Sequence, residues 1–457
     1  MEKLWAKQAL TKNGWQSDVS ITIDEDGSIV SVEGDQPAEG KQVGILLAAP
    51  VNLHSHAFQR AMAGMSEQRG PVGPNGHDNF WTWRQLMFRF VDQLTPEDNA
   101  AIAAFLQMEM LEAGFAAVCE FHYLHHQPGG DPYGNIAQMG ESIIEAASIS
   151  GIGLTLLPVL YEHGGCDGRA LTTGQSRFGN SPERFAQLYE ASKKAILQLG
   201  GDASIGVAPH SLRAVSQDGL QAAIALDPGQ PLHMHIAEQV AEIEEIEAHW
   251  GKRPVEWLLD HHDVDDRWCL IHSTHLTEAE TIALARSGAV VGLCPITESS
   301  LGDGIFNGQQ YLANSGRFGI GSDSNICISL SQELRTFEYS QRLRHLTRAV
   351  LATPKKSTGR RLFDCALEGG ARAAGRNSGT IEVGKLADLV ALDDEATDLY
   401  LKEDDMILDS FIFAGNDQYI SDVWAAGRHQ VANGRHLARD RITSAYKKTM
   451  ASLKDRI

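Results

Sequence analysis

The sequence lacks the features that place a chain in a membrane or outside the cell. No stretch approaches the roughly 20 consecutive apolar residues of a transmembrane helix, and the N-terminal residues have no apolar core like that of a signal peptide. The six cysteines lie far apart, without a Cys-x-x-Cys pair or the spacing of a small disulfide-bonded domain. We therefore expect a cytoplasmic protein with free thiols and no membrane partner.

Positive charge is also scarce. The 457-residue chain has 39 lysines and arginines against 59 aspartates and glutamates, which gives a formal net charge of −20. Because such a field repels nucleic acids, we expect no nucleic-acid partner. A small anionic ligand would need local arginines to overcome the same field.

The middle of the chain is rich in apolar, strand-like runs, which alternate with amphipathic helical segments. The predicted strands are 48–54, 115–123, 153–161, 203–209, 231–237, 268–272, 289–294 and 317–322. The predicted helices include 96–112, 182–198, 239–250, 277–285 and 331–351. Eight strands that alternate with helices predict an α/β chain with a (β/α)8 TIM-like barrel rather than an open sheet.

Short strands and tight turns occupy both ends of the chain. Neither end is long enough to bury a core alone, so we infer one small β domain assembled from both. Residues 1–48 would supply its N-terminal part, and residues 377–457 its C-terminal part with a terminal helix. Residues 49–376 would form the barrel.

Four side chains at the ends of predicted strands have the chemistry of metal ligands. His54 and His56 point to the same side of one strand because they are two residues apart. His235 and Asp323 follow two later strands, and the carboxyl ends of barrel strands meet at one face. Three imidazole nitrogens and one carboxylate oxygen suit a catalytic zinc ion with a water in the remaining position. Iron, manganese or nickel could use the same ligands.

The neighbourhood of these ligands suggests acid–base chemistry. His233 is an alternative to His235, which we prefer because Glu238 follows it three residues later. Asp323 could accept a proton from water, and Glu238 could deliver one to a nitrogen leaving group. His272 could donate to the attacking oxygen, or could only support its neighbours. Such a set suits hydrolysis at a trigonal carbon that bears nitrogen.

These residues lie in stretches that resemble the amidohydrolase superfamily, in its branch of mononuclear metal-dependent deaminases. The resemblance is carried by VNLHSH at 51–56, HMHIAEQ at 233–239, IHSTH at 271–275, LCPITESSLGDG at 293–304, GIGSDSN at 319–325 and SGTIEVGKLADLVALD at 378–393. It implies that the terminal β domain is a β-sandwich and that the protein is a homodimer. Binuclear members commonly use a lysine on the fourth strand. No lysine lies between 203 and 213 here, which favours one metal ion.

Within that superfamily, further stretches are similar to the formimidoylglutamate deiminases. They are LHSHAFQRAMAG at 53–64, FWTWRQLMF at 80–88, CEFHYLHH at 119–126 and APHSLRAVS at 208–216. This similarity implies zinc-dependent hydrolysis of N-formimidoyl-L-glutamate, a step of histidine degradation, to N-formyl-L-glutamate and ammonia. That anionic amino acid carries two carboxylates, which arginine binds in bidentate fashion. The implied substrate-binding residues are Arg213 with His210 for one carboxylate, and Arg84, Tyr123 and Gln59 for the other.

Several alternatives stay open at this point. Arg60 competes with Arg84, which could instead stack on Trp81 or Trp83 as a surface cation. The acidic run from Glu242 to Glu247 is most simply a solvated helix face. The same site could also deaminate a purine, pyrimidine or nucleoside derivative, although Arg213 departs from the fourth-strand sequence of those enzymes. A barrel without catalytic activity is the remaining alternative.

Overall fold

The computed structural model describes residues 1–67 and 80–456. Its strands are β1 Glu2–Thr11, β2 Gly14–Ile23, β3 Ile29–Glu33, β4 Lys41–Ala48, β5 Val51–Ser55, β6 Ala117–His122, β7 Gly153–Leu160, β8 Ser204–Ile205, β9 Ala208–Pro209, β10 Leu232–Ile236, β11 Trp268–His272, β12 Val290–Leu293, β13 Arg317–Ile320, β14 Leu389–Leu392, β15 Ile420–Ala425, β16 Arg428–Ala432 and β17 Arg435–His436. Its α-helices are α1 Phe80–Val91, α2 Pro96–Glu112, α3 Gln138–Ser150, α4 Pro182–Ala195, α5 Gln217–Leu226, α6 Val240–Trp250, α7 Pro254–His261, α8 Glu278–Ser287, α9 Pro295–Leu301, α10 Gly308–Ala313, α11 Leu330–His345, α12 Thr358–Ala373, α13 Asp405–Asp409 and α14 Arg439–Lys454.

The predicted (β/α)8 barrel is present. Strands β5 to β9 form one parallel sheet and β10 to β13 another. Single bridges between Ser55 and Asp323 and between Ser211 and His235 join the two sheets into a closed ring. Each predicted strand is found, although the fourth is divided into β8 and β9. The ring places the carboxyl ends of all its strands at one mouth, where the predicted ligands lie.

The strands from the two chain ends form one eight-stranded sheet. Its order is β17-β16-β15-β14-β4-β1-β2-β3, so that β14 from the C-terminal part pairs directly with β4 from the N-terminal part. By hydrogen bonding this is a single continuous sheet, whereas the resemblance implies a sandwich. The domain limits given above stay a prediction. Buried Arg376 ties barrel and sheet together, since it pairs with Asp388 at 2.6 Å and with Asp202 at 3.0 Å.

Two of the predicted helices begin at capping boxes. Thr95 closes a capping box with Asp98 ahead of α2, and Thr277 does the same with Glu280 ahead of α8. The prediction for 331–351 is too long, because α11 ends at His345 and the next residue turns into the left-handed region. Among the described residues, no helix has both the length and the apolar character needed to cross a bilayer.

Candidate active site

The four predicted metal ligands converge at the mouth of the barrel. His54 Nε2 lies 3.0 Å from His235 Nε2 and 3.5 Å from Asp323 Oδ1. His56 Nε2 lies 3.2 Å from the same Asp323 oxygen. The ligand atoms of all four side chains lie within 4.8 Å of one another, and all four are buried. Three imidazoles and one carboxylate therefore face a common point.

The protonation of this cluster fits a bound divalent cation. His56 Nδ1 lies 2.9 Å from the Phe121 carbonyl oxygen, and His235 Nδ1 lies 3.1 Å from that of His210. Because a carbonyl only accepts, each Nδ1 carries the proton and each Nε2 offers a lone pair to the cluster. Burial lowers the pKa of His54 to about 3 and that of His235 well below its ordinary value, so both stay neutral. Neutral imidazoles are the form that binds metal.

The backbone brings the first and last barrel strands unusually close at this point. The Asp323 N–H donates to the His54 carbonyl at 2.9 Å, and the His56 N–H donates to the Asp323 carbonyl at 3.1 Å. A Cβ on Gly321 would lie 2.7 Å from His54 Cβ, so only glycine fits there. Asp323 itself has a φ of 47°, a strained conformation that the surrounding contacts hold in place. Burial alone would raise the pKa of Asp323, but its contacts with His54 and His56 hold it well below its ordinary value.

The predicted acid–base residues lie beside the ligand cluster. His272 Nε2 is 3.9 Å from Glu238 Oε1 and 3.9 Å from Asp323 Oδ2. On its other side, His272 Nδ1 donates to Glu298 at 3.3 Å, which fixes the ring. Burial alone would lower the pKa of His272, but the three carboxylates raise it to about 10. Burial raises the pKa of Glu238. Before a cation binds, His272 is therefore a proton donor that faces the other reactive groups.

All five predicted substrate-binding side chains line the pocket above this cluster. They are Gln59, Arg84, Tyr123, His210 and Arg213. Gln59 Nε2 donates to the Tyr123 hydroxyl at 2.8 Å. Arg84 donates to the hydroxyl of Tyr161 at 2.7 Å, and its guanidinium lies 5.1 Å from the ring centre of Phe88. The chain thus places two arginines over the ligand cluster.

The geometry also decides between the alternative residues: His235 rather than His233 lies in the ligand cluster, and Arg84 rather than Arg60 lines the pocket. His233 Nε2 donates to the Ala373 carbonyl at 2.7 Å and is not part of the ligand cluster. Arg60 makes a bidentate pair with Glu109, at 2.6 and 3.0 Å, outside the pocket. The alternative in which Arg84 stacks on Trp81 involves a side chain outside those described.

Comparison with known proteins agrees with this architecture. The amidohydrolase family matches residues 45–429, and the N-terminal domain of formimidoylglutamate deiminase HutF matches residues 1–42. Over its full length, the chain is 45% identical to all of the formimidoylglutamate deiminase of Pseudomonas aeruginosa. The chain belongs to the formimidoylglutamate deiminase family of amidohydrolases. The chain is therefore a hydrolase that acts on C–N bonds, and its described residues include a His/Asp group that could hold a metal ion.

Solved structures and a further relative of the formimidoylglutamate deiminases share this architecture or part of its sequence. An amidohydrolase from Brucella melitensis superposes with a TM-score of 0.94 at 48% identity, over 99% of this chain and 100% of that one. An adenosine deaminase from Xanthomonas campestris with bound zinc superposes with a TM-score of 0.82 at 22% identity, over 99% and 98% of the two chains, and so shares the fold. A 5-methylthioadenosine/S-adenosylhomocysteine deaminase from Natronomonas pharaonis is 25% identical over 91% of this chain and 87% of that protein.

The sequence analysis misassigned a buried residue beside this deiminase site. The prediction that Glu242 to Glu247 form a solvated helix face is wrong for Glu242, which has no exposed surface. Its carboxylate accepts two backbone N–H groups beside the site. The signal in the sequence is helical spacing, because Glu242 shares the buried face of α6 with Ile243 and Ile246.

Proposed function

We propose that the chain hydrolyses N-formimidoyl-L-glutamate to N-formyl-L-glutamate and ammonia. The observation that carries the proposal is the pairing of two arginines, Arg84 and Arg213, with a buried His/Asp cluster in one pocket. A chain with a net charge of −20 has no general attraction for an anion. Two guanidinium groups in one pocket therefore point to a substrate with two carboxylates.

The same pocket supplies the groups that the reaction needs. A divalent cation held by His54, His56, His235 and Asp323 would supply an activated water molecule at neutral pH. Asp323 would accept a proton from the attacking water as the oxygen of that water bonds to the formimidoyl carbon. His272 donates a hydrogen bond to the attacking oxygen and stabilises the tetrahedral centre.

The second half of the reaction breaks the carbon–nitrogen bond. Glu238 transfers a proton to the terminal nitrogen, which then leaves as ammonia with the electron pair of that bond. The carbon keeps its bond to the glutamate nitrogen, and the new oxygen becomes the carbonyl of the formyl group. With the substrate as the amidinium cation, the hydroxyl proton of the tetrahedral centre returns to Glu238 as the carbonyl forms, and the proton held by Asp323 leaves with the ammonia as ammonium.

The two ends of the substrate bind to different parts of the pocket. Arg213 and His210 hold one carboxylate, and Arg84 with Tyr123 and Gln59 holds the other. The hydrogen bond between Arg84 and Tyr161 limits the positions that the guanidinium can reach. A ring substrate without carboxylates would present no anionic group to either arginine, which disfavours the purine or pyrimidine alternative.

Zinc as the metal, one ion per chain, a homodimer and a cytoplasmic location belong to the same proposal. The donor set, three imidazoles and one carboxylate, supports zinc. Elemental analysis of the purified protein, with light scattering for its mass in solution, tests the metal and the dimer directly.

A turnover assay that measures both products tests the reaction. Formylglutamate and ammonia should appear in equal amounts, and Asp323→Asn should abolish both. Formamide and glutamate in their place would mean that the other carbon–nitrogen bond breaks. Turnover of adenosine-type compounds instead of formimidoylglutamate would overturn the proposed substrate.

A further inference from the structure

Glu242 is a buried carboxylate that the proposed reaction does not use. Its Oε1 accepts the Ala237 N–H at 3.1 Å, and its Oε2 accepts the Glu238 N–H at 3.0 Å. Ala237 has a φ of 53°, a left-handed conformation that residues with a Cβ rarely adopt. The carboxylate therefore holds the strained turn that directs Glu238 into the pocket.

The same carboxylate also faces the substrate-binding arginine. Glu242 Oε2 lies 4.0 Å from Arg213 Nε, while Arg213 Nη2 lies 3.8 Å from Glu238 Oε2. The exposed fractions of Arg213, Glu238 and Glu242 are 7%, 5% and 0%. One buried guanidinium thus lies between two buried carboxylates, at distances typical of ion pairs rather than hydrogen bonds. In such surroundings each charge depends strongly on its neighbours.

The two carboxylates differ in how firmly they are held. Glu242 is fixed by two backbone donors on a helix, whereas Glu238 must be able to approach the substrate nitrogen. If Glu242 were neutral, Glu238 would be the remaining anionic partner of Arg213 within this pair of contacts, and the guanidinium would draw it away from the substrate. A fixed anion at Glu242 takes up part of the attraction of Arg213, which weakens the pull of the guanidinium on Glu238.

We propose that Glu242 is a positioning residue that sets Arg213 and Glu238 relative to each other, so that carboxylate binding and proton delivery occur on one substrate molecule. This inference rests on the proposed function, since it assumes that Arg213 binds a substrate carboxylate. It assigns Glu242 an effect on both substrate affinity and turnover, through two different partners.

Kinetics of Glu242→Gln against wild type and Glu244→Gln test the proposal. Glu244 is an exposed glutamate on the same helix, so its variant controls for the loss of one negative charge. With formimidoylglutamate, Glu242→Gln should raise KM at least tenfold and lower kcat at least tenfold, while Glu244→Gln stays within twofold of wild type. With formamidine, which has no carboxylate, Glu242→Gln should lower kcat but leave KM within threefold.

Measuring KM and kcat separately distinguishes a positioning role of Glu242 from a purely structural role. A variant that only folds less completely would have fewer active molecules, which lowers kcat per chain and leaves KM unchanged. Such a result, or a KM within twofold of wild type, would overturn the proposal. If Glu242→Gln does not fold, Glu242→Asp, which keeps the charge but is one methylene shorter, should raise KM at least threefold. An unchanged KM in that variant would overturn the proposal as well.

These outcomes are distinct from a failure of the proposed function. Wild-type protein that does not turn over formimidoylglutamate would refute the function itself. Active wild-type protein with an unaffected Glu242→Gln variant would refute only the role of Glu242. Metal content per chain, measured on every variant, must stay equal for the comparison, because a loss of metal would show that Glu242 acts on the ligand cluster instead.

Discussion

Replacing Arg213 by alanine is the most direct perturbation of substrate recognition. The side chain is 7% exposed and lines the pocket next to Glu238. Its removal takes away the guanidinium that would bind a substrate carboxylate. It also leaves Glu238 and Glu242 without the cation that lies between them.

The expected loss can be estimated from the burial of this charge. Truncating one partner of a buried, hydrogen-bonded charge pair costs about 2 to 5 kcal/mol. Since each 1.4 kcal/mol is a factor of ten, kcat/KM for formimidoylglutamate should fall about 30- to 5,000-fold. Arg213→Lys keeps the charge but loses the planar fork, so its loss should be smaller, about 10- to 150-fold, as for a charged hydrogen bond worth about 1.5 to 3 kcal/mol.

Steady-state kinetics with two substrates distinguish lost recognition from lost chemistry. Formimidoylglutamate presents carboxylates, whereas formamidine presents only the reacting group, so Arg213→Ala should change kcat/KM for formamidine far less. Arg435→Ala is the matched control, because Arg435 is exposed on the terminal sheet and its loss changes the net charge equally. Equal losses on both substrates would refute the role of Arg213 in carboxylate binding. So would wild-type kinetics of Arg213→Ala with formimidoylglutamate.

Three further predictions follow from the site. Glu238→Gln should lower kcat about 100- to 10,000-fold with unchanged metal content, since it removes the general acid; unchanged kcat would exclude that role. A chelator should abolish activity, and one equivalent of zinc per chain should restore it; full activity after complete chelation would contradict the metal requirement. Burial lowers the pKa of His233 to about 4 from 6.5, so the unfolded chain binds this proton at a higher pH than the folded chain does. Stability should therefore fall as the pH drops from about 6.5 towards 4, by at most about 3 kcal/mol from this group. His233→Asn should have a smaller decrease in Tm between pH 7 and pH 5, and an identical decrease would rule out this contribution.

The barrel could be predicted because its strands are buried on both sides. Such strands read as apolar runs, and each predicted run is a strand of the ring. The division of the fourth run into β8 and β9 could not be predicted, because it depends on how two separate segments of that run pair with β7. The end of α11 could not be predicted either. The left-handed residue that follows this helix is Leu346, whereas glycine commonly marks such a helix end.

Site residues could be predicted from the sequence where a residue type and its spacing are typical of one kind of site. Two histidines two residues apart at a strand end, followed by later strand ends with His235 and Asp323, specify a ligand set. Contacts across the barrel leave no such trace. Nothing in the sequence pairs Arg84 with Tyr161, or His272 with Glu298, because these partners are brought together only by the closed ring.

The balance of buried charge favours the binding of a cation in this pocket. Asp323, Glu238, Glu242 and Glu298 are buried carboxyl groups in contact with one another or with shared partners. Facing them among these pairs are one guanidinium, Arg213, and one imidazole, His272. If every one of these groups is charged, the formal excess is two negative charges, and a divalent cation compensates that amount. Isolated buried charge is costly, so a cation that binds the folded site should also stabilise the fold. Asp323 contacts the ligand histidines His54 and His56 and also His272, which carries a proton. The charge of the ligand cluster and the charges of the acid–base residues therefore influence one another.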